Sequence, residues 1–162
     1  MSFVIQDASK QFPRTQGIRI TYASELVGKL QADHKDLLTI FTQIQQAALE
    51  RDIAKLKTKL AEFTSCLNAH ILLENIRLYV FLKHRLAADP TQGALVARFR
   101  KEMGGIAVDV MDFVEHNRAI EFWDSARWFK LQGDLQTLGD VLVNRIADEE
   151  SRLYPLYQPE GV

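Results

Sequence analysis

Hydrophobic residues recur at helical spacing along most of the chain. A first stripe runs from about Tyr22 to Ala48, and Asp52 follows it in the position of an N-cap for a second helix. The second stripe continues until Pro90, because proline disfavours helical backbone at the residue before it. The first half of the chain therefore predicts two long helices joined by a short turn.

The second half repeats this organisation. Thr91 is predicted to cap a third helix that extends as far as Phe129, and Gly133 and Asp134 then interrupt the pattern. A fourth helix is predicted from Leu135 to Tyr154. The pattern therefore adds two more helices of similar length.

Four helices with short connections favour one architecture. No alternating run bounded by hairpin turns predicts a strand. We therefore predict an all-α, up-and-down antiparallel four-helix bundle over residues 21–158. Residues 1–20 contain a proline and a glycine and lack helical periodicity, which predicts an extended N-terminal arm.

One motif occurs twice. Residues 70–79 and 145–154 share the pattern x-Ile-x-x-Glu-x-x-Arg-Leu-Tyr, which begins with His70 in the first copy and with Arg145 in the second. His70 and Glu74 are four residues apart, so both project from one face of a helix and can hold one metal ion. Arg145 cannot ligate a metal, because its guanidinium carries only donors and stays protonated.

His34 extends this ligand set. It lies on the predicted first helix within Asp33-His34-Lys35-Asp36, and antiparallel packing can bring it level with His70. The chain resembles the hemerythrin-like HHE cation-binding family over roughly residues 25–157, through this Asp-His pair, His-x-x-x-Glu at 70–74 and Glu-Glu-x-x-Leu-Tyr-Pro at 149–155.

The resemblance implies a site for two non-haem irons held by histidines and carboxylates from all four helices. The residues that match its ligand positions are His34, His70, Glu74 and Glu149. At the lost histidine positions stand Arg145 on the fourth helix and Val110, or Met103 in an alternative alignment, on the third. The ligand set is therefore degenerate in the second half.

Three alternatives follow for the site. One divalent ion binds the two histidines and two glutamates while Arg145 points to solvent, or a full di-iron centre survives through other ligands. In the third alternative no metal binds, and Arg145 lies inside and pairs with Glu74 and Glu149 in place of a cation. We favour the third and predict no cofactor, with non-haem iron or another divalent metal as the alternative.

Composition restricts the partners. Twenty Lys and Arg against twenty-one Asp and Glu give a net charge of −1, which argues against direct nucleic-acid binding. No segment has the length and apolarity of a membrane span or a signal peptide. The single cysteine, Cys66, agrees with a reducing compartment, so we expect a cytoplasmic protein.

A cluster of aromatic residues suggests a protein partner. Trp123, Trp128 and Phe129 lie close together in the sequence, and neighbouring helix residues cannot all face one core, so they are candidates for a binding surface unless the N-terminal arm or the helix ends cover them.

Residues 105–157 resemble the Rsd/AlgQ regulators more weakly, which implies a bacterial regulator that binds a sigma factor. We therefore predict a non-enzymatic regulatory or adaptor protein, with a metal-dependent sensor or carrier of oxygen or iron as the alternative.

Overall fold

The computed structural model describes residues 20–161, and within that range the chain forms four long helical segments and no strand. This confirms the predicted all-α four-helix bundle. The segments are α1 (Leu26–Glu50); α2 (Ile53–Leu73), which continues through a π-helical turn (Glu74–Tyr79) into α3 (Val80–Arg85); α4 (Pro90–Ala119); and α5 (Ser125–Asp148), which continues through a second π-helical turn (Glu149–Leu153) into a 3-10 turn (Tyr154–Leu156). Residues 1–19 of the predicted arm lie outside the described range.

Aspartate side chains cap three of these helices. The predicted cap at Asp52 is confirmed, because its Oδ1 accepts the backbone N–H of Lys55 at 3.0 Å. The predicted cap at Thr91 is wrong. Asp89 caps α4 instead, accepting the N–H of Gln92 at 3.0 Å, and Pro90 occupies the first helical position, where its missing N–H costs nothing.

The predicted boundary between the third and fourth helices is also wrong. Helix α4 ends at Ala119, and the chain is non-helical from Ile120 to Asp124. Oδ1 of Asp124 accepts the N–H of Arg127 at 2.9 Å, so α5 begins at Ser125. The helix then passes through Gly133, because packing of the whole helix outweighs the roughly 1 kcal/mol that one glycine costs.

Two apolar clusters fill the interior. The large core includes Phe41, Leu60, Phe63, Val110 and Leu135, and the small core includes Leu30, Leu78, Phe99, Leu153 and Tyr157. In one place the packing requires a glycine: a Cβ added at Gly139 on α5 would lie 2.9 Å from Cε1 of Phe41 on α1.

A layer of buried polar residues separates the two cores. Along α1, His34 lies between Leu37 of the large core and Leu30 of the small core. His70 and Glu149 occupy the corresponding levels of the second and fourth segments. In the part of the chain from residue 20 to 161, no helix has the length and apolar character that crossing a membrane requires.

Candidate metal centre

The buried polar layer contains four residues that can ligate a metal. His34 lies on α1, His70 on α2, and Glu74 and Glu149 are the first residues of the two π-helical turns. One ligand atom from each residue lies within 4.8 Å of every other, and all four side chains are buried. The structure therefore brings together all four ligands expected from the sequence.

The two π-helical turns start at equivalent glutamates of the repeated motif. In an α-helix, a residue five positions later has rotated about 140° away from the first. A π-helical turn is wider and returns the fifth following residue to nearly the same face. Tyr79 and Tyr154 are thereby placed on the faces of Glu74 and Glu149. Such turns occur often at functional sites.

His34 is held by two carboxylates of the fourth helical segment. Its Nε2 lies 3.0 Å from Oε2 of Glu149, and its Nδ1 lies 2.9 Å from Oε1 of Glu150. Burial lowers the pKa of His34, but hydrogen bonds to Glu149 and Glu150 raise that pKa by more, so the net shift is upward. The side chain is thus fixed with Nε2 facing the other ligands.

His70 has the same orientation. Its Nε2 lies 3.4 Å from Oε1 of Glu74, and its Nδ1 faces Oδ2 of Asp33 at 3.5 Å. Histidines that bind metals generally direct the second ring nitrogen to a carboxylate, which fixes the tautomer and the ring. Glu150 stands in that relation to His34. Asp33 lies near His70, but Nδ1 of His70 has no hydrogen-bond partner among the described residues. Neither carboxylate was assigned a role from the sequence.

Arg145 points into the bundle and is only 7% exposed. Its Nε donates to Oε1 of Glu149, and its Nη2 donates to Oη of Tyr79 at 3.2 Å and to the carbonyl of Phe99 at 2.9 Å. The expected outward position of Arg145 in the one-ion alternative is therefore wrong, whereas the four ligands of that alternative are brought together. The expected pairing with Glu74 is also wrong, because among the described residues only Glu149 and, at 3.8 Å, Glu102 lie within ion-pair distance.

The inward Arg145 affects the charge of Glu149. Burial alone raises the pKa of the Glu149 carboxyl, but the hydrogen bond with His34 and the charge of Arg145 lower that pKa by more. The net shift is downward, so Glu149 is held as a carboxylate. Its Oε1 accepts a hydrogen bond from Arg145, and its Oε2 faces Nε2 of His34.

Tyr154 is a central residue that sequence analysis did not select. Its hydroxyl donates to Oε1 of Glu74 at 2.8 Å and lies 3.1 Å from Nε2 of His34. Burial raises the pKa of Tyr154 far above its ordinary value, and the charges of Glu74 and Glu149 raise it further. The sequence feature that could have identified Tyr154 is the Leu-Tyr pair that both copies of the motif share.

Comparison with known families agrees with this geometry. Residues 25–157 match the model of the hemerythrin HHE cation-binding domain. The chain belongs to this hemerythrin family. Comparison with the curated proteins and with the solved structures gives no significant match. The comparisons do not show the weaker Rsd/AlgQ resemblance.

The second half of this hemerythrin domain lacks histidine ligands. Val110 is fully buried in the large core, and Met103 is 5% exposed beside it. Met103 and Arg145 line a cavity of about 20 Å³ next to His34, His70 and Glu149. That volume accommodates about one water-sized species.

The residues present fit a divalent cation. Two imidazole nitrogens and carboxylate oxygens are ligands that zinc, iron and manganese accept. Oε2 of Glu74 is buried and has no hydrogen-bond partner among the described residues. A buried carboxylate oxygen without a partner is costly, and a bound cation would satisfy it.

The other histidines and Cys66 lie outside this cluster. His84 is exposed and lies 3.9 Å from Glu160, and His116 lines a separate cavity near Asp134. Cys66 is a free, half-buried cysteine packed against the large core. None of the three belongs to the group of ligand atoms described above.

The aromatic cluster divides between the core and the surface. Trp128 is 4% exposed and belongs to the large core, so its assignment to a protein-binding surface is corrected. Trp123 is half-buried and contacts Trp128, with ring centroids 4.4 Å apart and the rings tilted by 30°. Phe129 is 80% exposed and Phe122 is 72% exposed, so both of these aromatic side chains near the start of α5 face solvent.

Proposed function

We propose that this hemerythrin domain binds one divalent transition-metal cation through His34, His70, Glu74 and Glu149. The observation that supports this most directly is the group of four buried ligand atoms within 4.8 Å. The carboxylate of Glu150 behind His34 and the unpartnered Oε2 of Glu74 add support. For this reason we replace the expectation of no cofactor with one bound ion.

The second half supports one ion rather than two. Arg145 takes the place of a histidine ligand, and its guanidinium already occupies Oε1 of Glu149. A second cation placed there would lie beside a fixed positive charge in a dry interior, where like charges repel strongly. Arg145 thus substitutes for the second cation, and Oε2 of Glu149 remains available for the first.

The bound ion would supply a centre that changes oxidation state or accepts a small ligand. The chain's own residues position the donors and exclude water. The carboxylate of Glu150 fixes His34 through Nδ1, and apolar side chains such as Met103 and Leu142 line the cavity beside the two histidines. The proposed role is a carrier or sensor that responds to iron, oxygen or redox state.

Metal stoichiometry tests this proposal. Protein purified without chelators is dialysed against iron(II), manganese(II) or zinc(II), and bound metal is measured by elemental analysis. We expect one ion per chain, loss of binding in His34→Ala, and no change in His84→Ala, because His84 lies outside the site. Two ions per chain, or no binding by the unaltered protein, would reject the single-cation site.

We also propose a non-enzymatic regulatory or adaptor role in which the outer surface binds a protein. The exposure of Phe122 and Phe129 supports this, since aromatic side chains often anchor interfaces. The primary sigma factor is a partner that only the resemblance of residues 105–157 suggests. Titration with purified sigma factor tests it: binding that Phe129→Ser weakens about tenfold or more supports the role. An absence of binding excludes this partner.

A further inference from the structure

The hydroxyl of Tyr154 lies among the proposed ligand atoms. It is 2.8 Å from Oε1 of Glu74, 3.1 Å from Nε2 of His34 and 3.4 Å from Oε2 of Glu149. The side chain is 2% exposed, and its ring stacks on His34 with an interplanar angle of 12°. Three of the four ligand residues therefore surround one phenol oxygen.

Two of these three distances, from the phenol oxygen to His34 and to Glu149, match those between ligands of a single ion, whereas the 2.8 Å distance to Glu74 is shorter. Bonds of about 2.0–2.2 Å place neighbouring nitrogen and oxygen ligands roughly 3.0–3.5 Å apart, for angles between a right angle and a tetrahedral angle. Two pairs among the four proposed ligands fall in that range, at 3.0 Å between His34 and Glu149 and 3.4 Å between His70 and Glu74. The phenol oxygen of Tyr154 is spaced like another member of the same shell.

The internal repeat provides a comparison. Tyr79 occupies the equivalent position after Glu74, and it is also buried. Its hydroxyl, however, accepts a hydrogen bond from Arg145 at 3.2 Å and makes no hydrogen bond to a histidine or glutamate among the described residues. The two tyrosines therefore share a backbone setting and differ in what they face.

We propose that Tyr154 is a fifth protein ligand of the cation, an inference that rests on the single-cation site proposed above. As the bond between Oη and the metal forms, the phenol O–H bond breaks and its proton is released to the buffer, as happens with other protonated side chains that become ligands. The site would then comprise two imidazoles, two carboxylates and one phenolate.

Iron provides the test, because a phenolate bound to iron(III) gives a charge-transfer band in visible light. Unaltered protein, Tyr154→Phe and Tyr79→Phe are each loaded with one equivalent of iron(II) without oxygen and oxidised with one equivalent of ferricyanide. We expect the band, and phenolate vibrations in resonance Raman spectra, in the unaltered protein and in Tyr79→Phe. Tyr154→Phe is expected to retain one iron and lose the band.

The outcomes separate the two proposals. If the unaltered protein holds one iron without the band, or if Tyr154→Phe keeps the band, Tyr154 is not a ligand while the single-cation site stands. If the unaltered protein binds no iron, both proposals fail. Should Tyr154→Phe not fold, the unaltered protein and Tyr79→Phe prepared with ring-deuterated tyrosine suffice. Phenolate vibrations that fail to shift in both would overturn the assignment.

Discussion

Glu74 and Glu149 occupy equivalent positions in the repeat but have different partners, so one substitution is expected to act differently at each. In metal-free protein, Glu149→Gln removes a carboxylate that accepts hydrogen bonds from Arg145 and His34. Arg145 would then be a buried cation whose remaining carboxylate neighbour is Glu102 at 3.8 Å, a residue that is 56% exposed. Breaking a buried pair from one side costs about 3–5 kcal/mol of unfolding free energy.

Glu74→Gln is expected to cost far less in the same metal-free protein. The amide oxygen of glutamine still accepts the hydrogen bond that Tyr154 donates at 2.8 Å. The substitution removes an oxygen, Oε2, that has no partner, and Arg145 makes no hydrogen bond to this side chain. We therefore expect a change within about 1 kcal/mol, or a small gain in stability.

Urea denaturation in the presence of a chelator, followed by circular dichroism, measures both effects. With a slope of about 2 kcal/mol per molar urea, a loss of about 3–5 kcal/mol lowers the midpoint by roughly 1.5–2.5 M. Glu149→Gln should show this decrease, and Glu74→Gln should unfold near the midpoint of the unaltered protein. Equal decreases for both variants would refute the view that Arg145 stabilises only one of the two glutamates.

Added cation should separate Glu74→Gln from the unaltered protein. Ligand at a hundred times its dissociation constant stabilises the unaltered protein by about 2.7 kcal/mol. Glu74→Gln loses a ligand, so its midpoint should rise much less when the same cation is added. An equal rise in both proteins would show that Glu74 does not bind the ion.

Three further substitutions, one of them a control, test the surroundings of the site and the packing of the bundle. Glu150→Gln should lower metal affinity by about 10–100-fold in equilibrium dialysis, because Glu150 orients His34 without ligating the ion; unchanged affinity would remove that role. Gly139→Ala should lower the free energy of unfolding by about 1–3 kcal/mol in urea denaturation, because the new Cβ would lie 2.9 Å from Cε1 of Phe41. Gly104→Ala is the control: its Cβ would have no atom within 4 Å, so this variant should gain about 0.5–1 kcal/mol of stability.

The sequence predicts that the four long helices exist, but it does not predict where some of them begin and end. Apolar periodicity identifies long helices because burial of one face sets the pattern. It does not identify the residue at which a helix starts. The break before α5 depends on a single hydrogen bond from Arg127 N–H to Asp124, and α4 begins at Pro90 because Asp89 accepts from Gln92. Caps of this kind compete with neighbouring candidates such as Thr91, and only packing decides between them.

For the candidate site, residue type and position in the repeat identified the ligand residues from the sequence, but the π-helical turns of the backbone could not be predicted from it. His34, His70, Glu74 and Glu149 are metal-ligand residue types at family positions, so they could be selected from the sequence. Tyr154 was missed because ordinary α-helical geometry turns it away from Glu149. The π-helical turn that brings it back has no sequence signature in the pattern of apolar residues.

The balance of buried charge connects Arg145, Tyr154 and a single cation. A low-dielectric interior disfavours net charge, so ligand sets there tend toward neutrality. Glu74 and Glu149 are buried, and as metal ligands each would carry one negative charge, while Arg145 contributes one positive charge close to Glu149. A divalent ion would leave this group with one excess positive charge, which a phenolate at Tyr154 would cancel. Two divalent ions would leave a larger excess, which one phenolate could not neutralise. Arginine in place of one histidine therefore favours a site for one cation. It also favours ionisation of Tyr154 when that cation is bound.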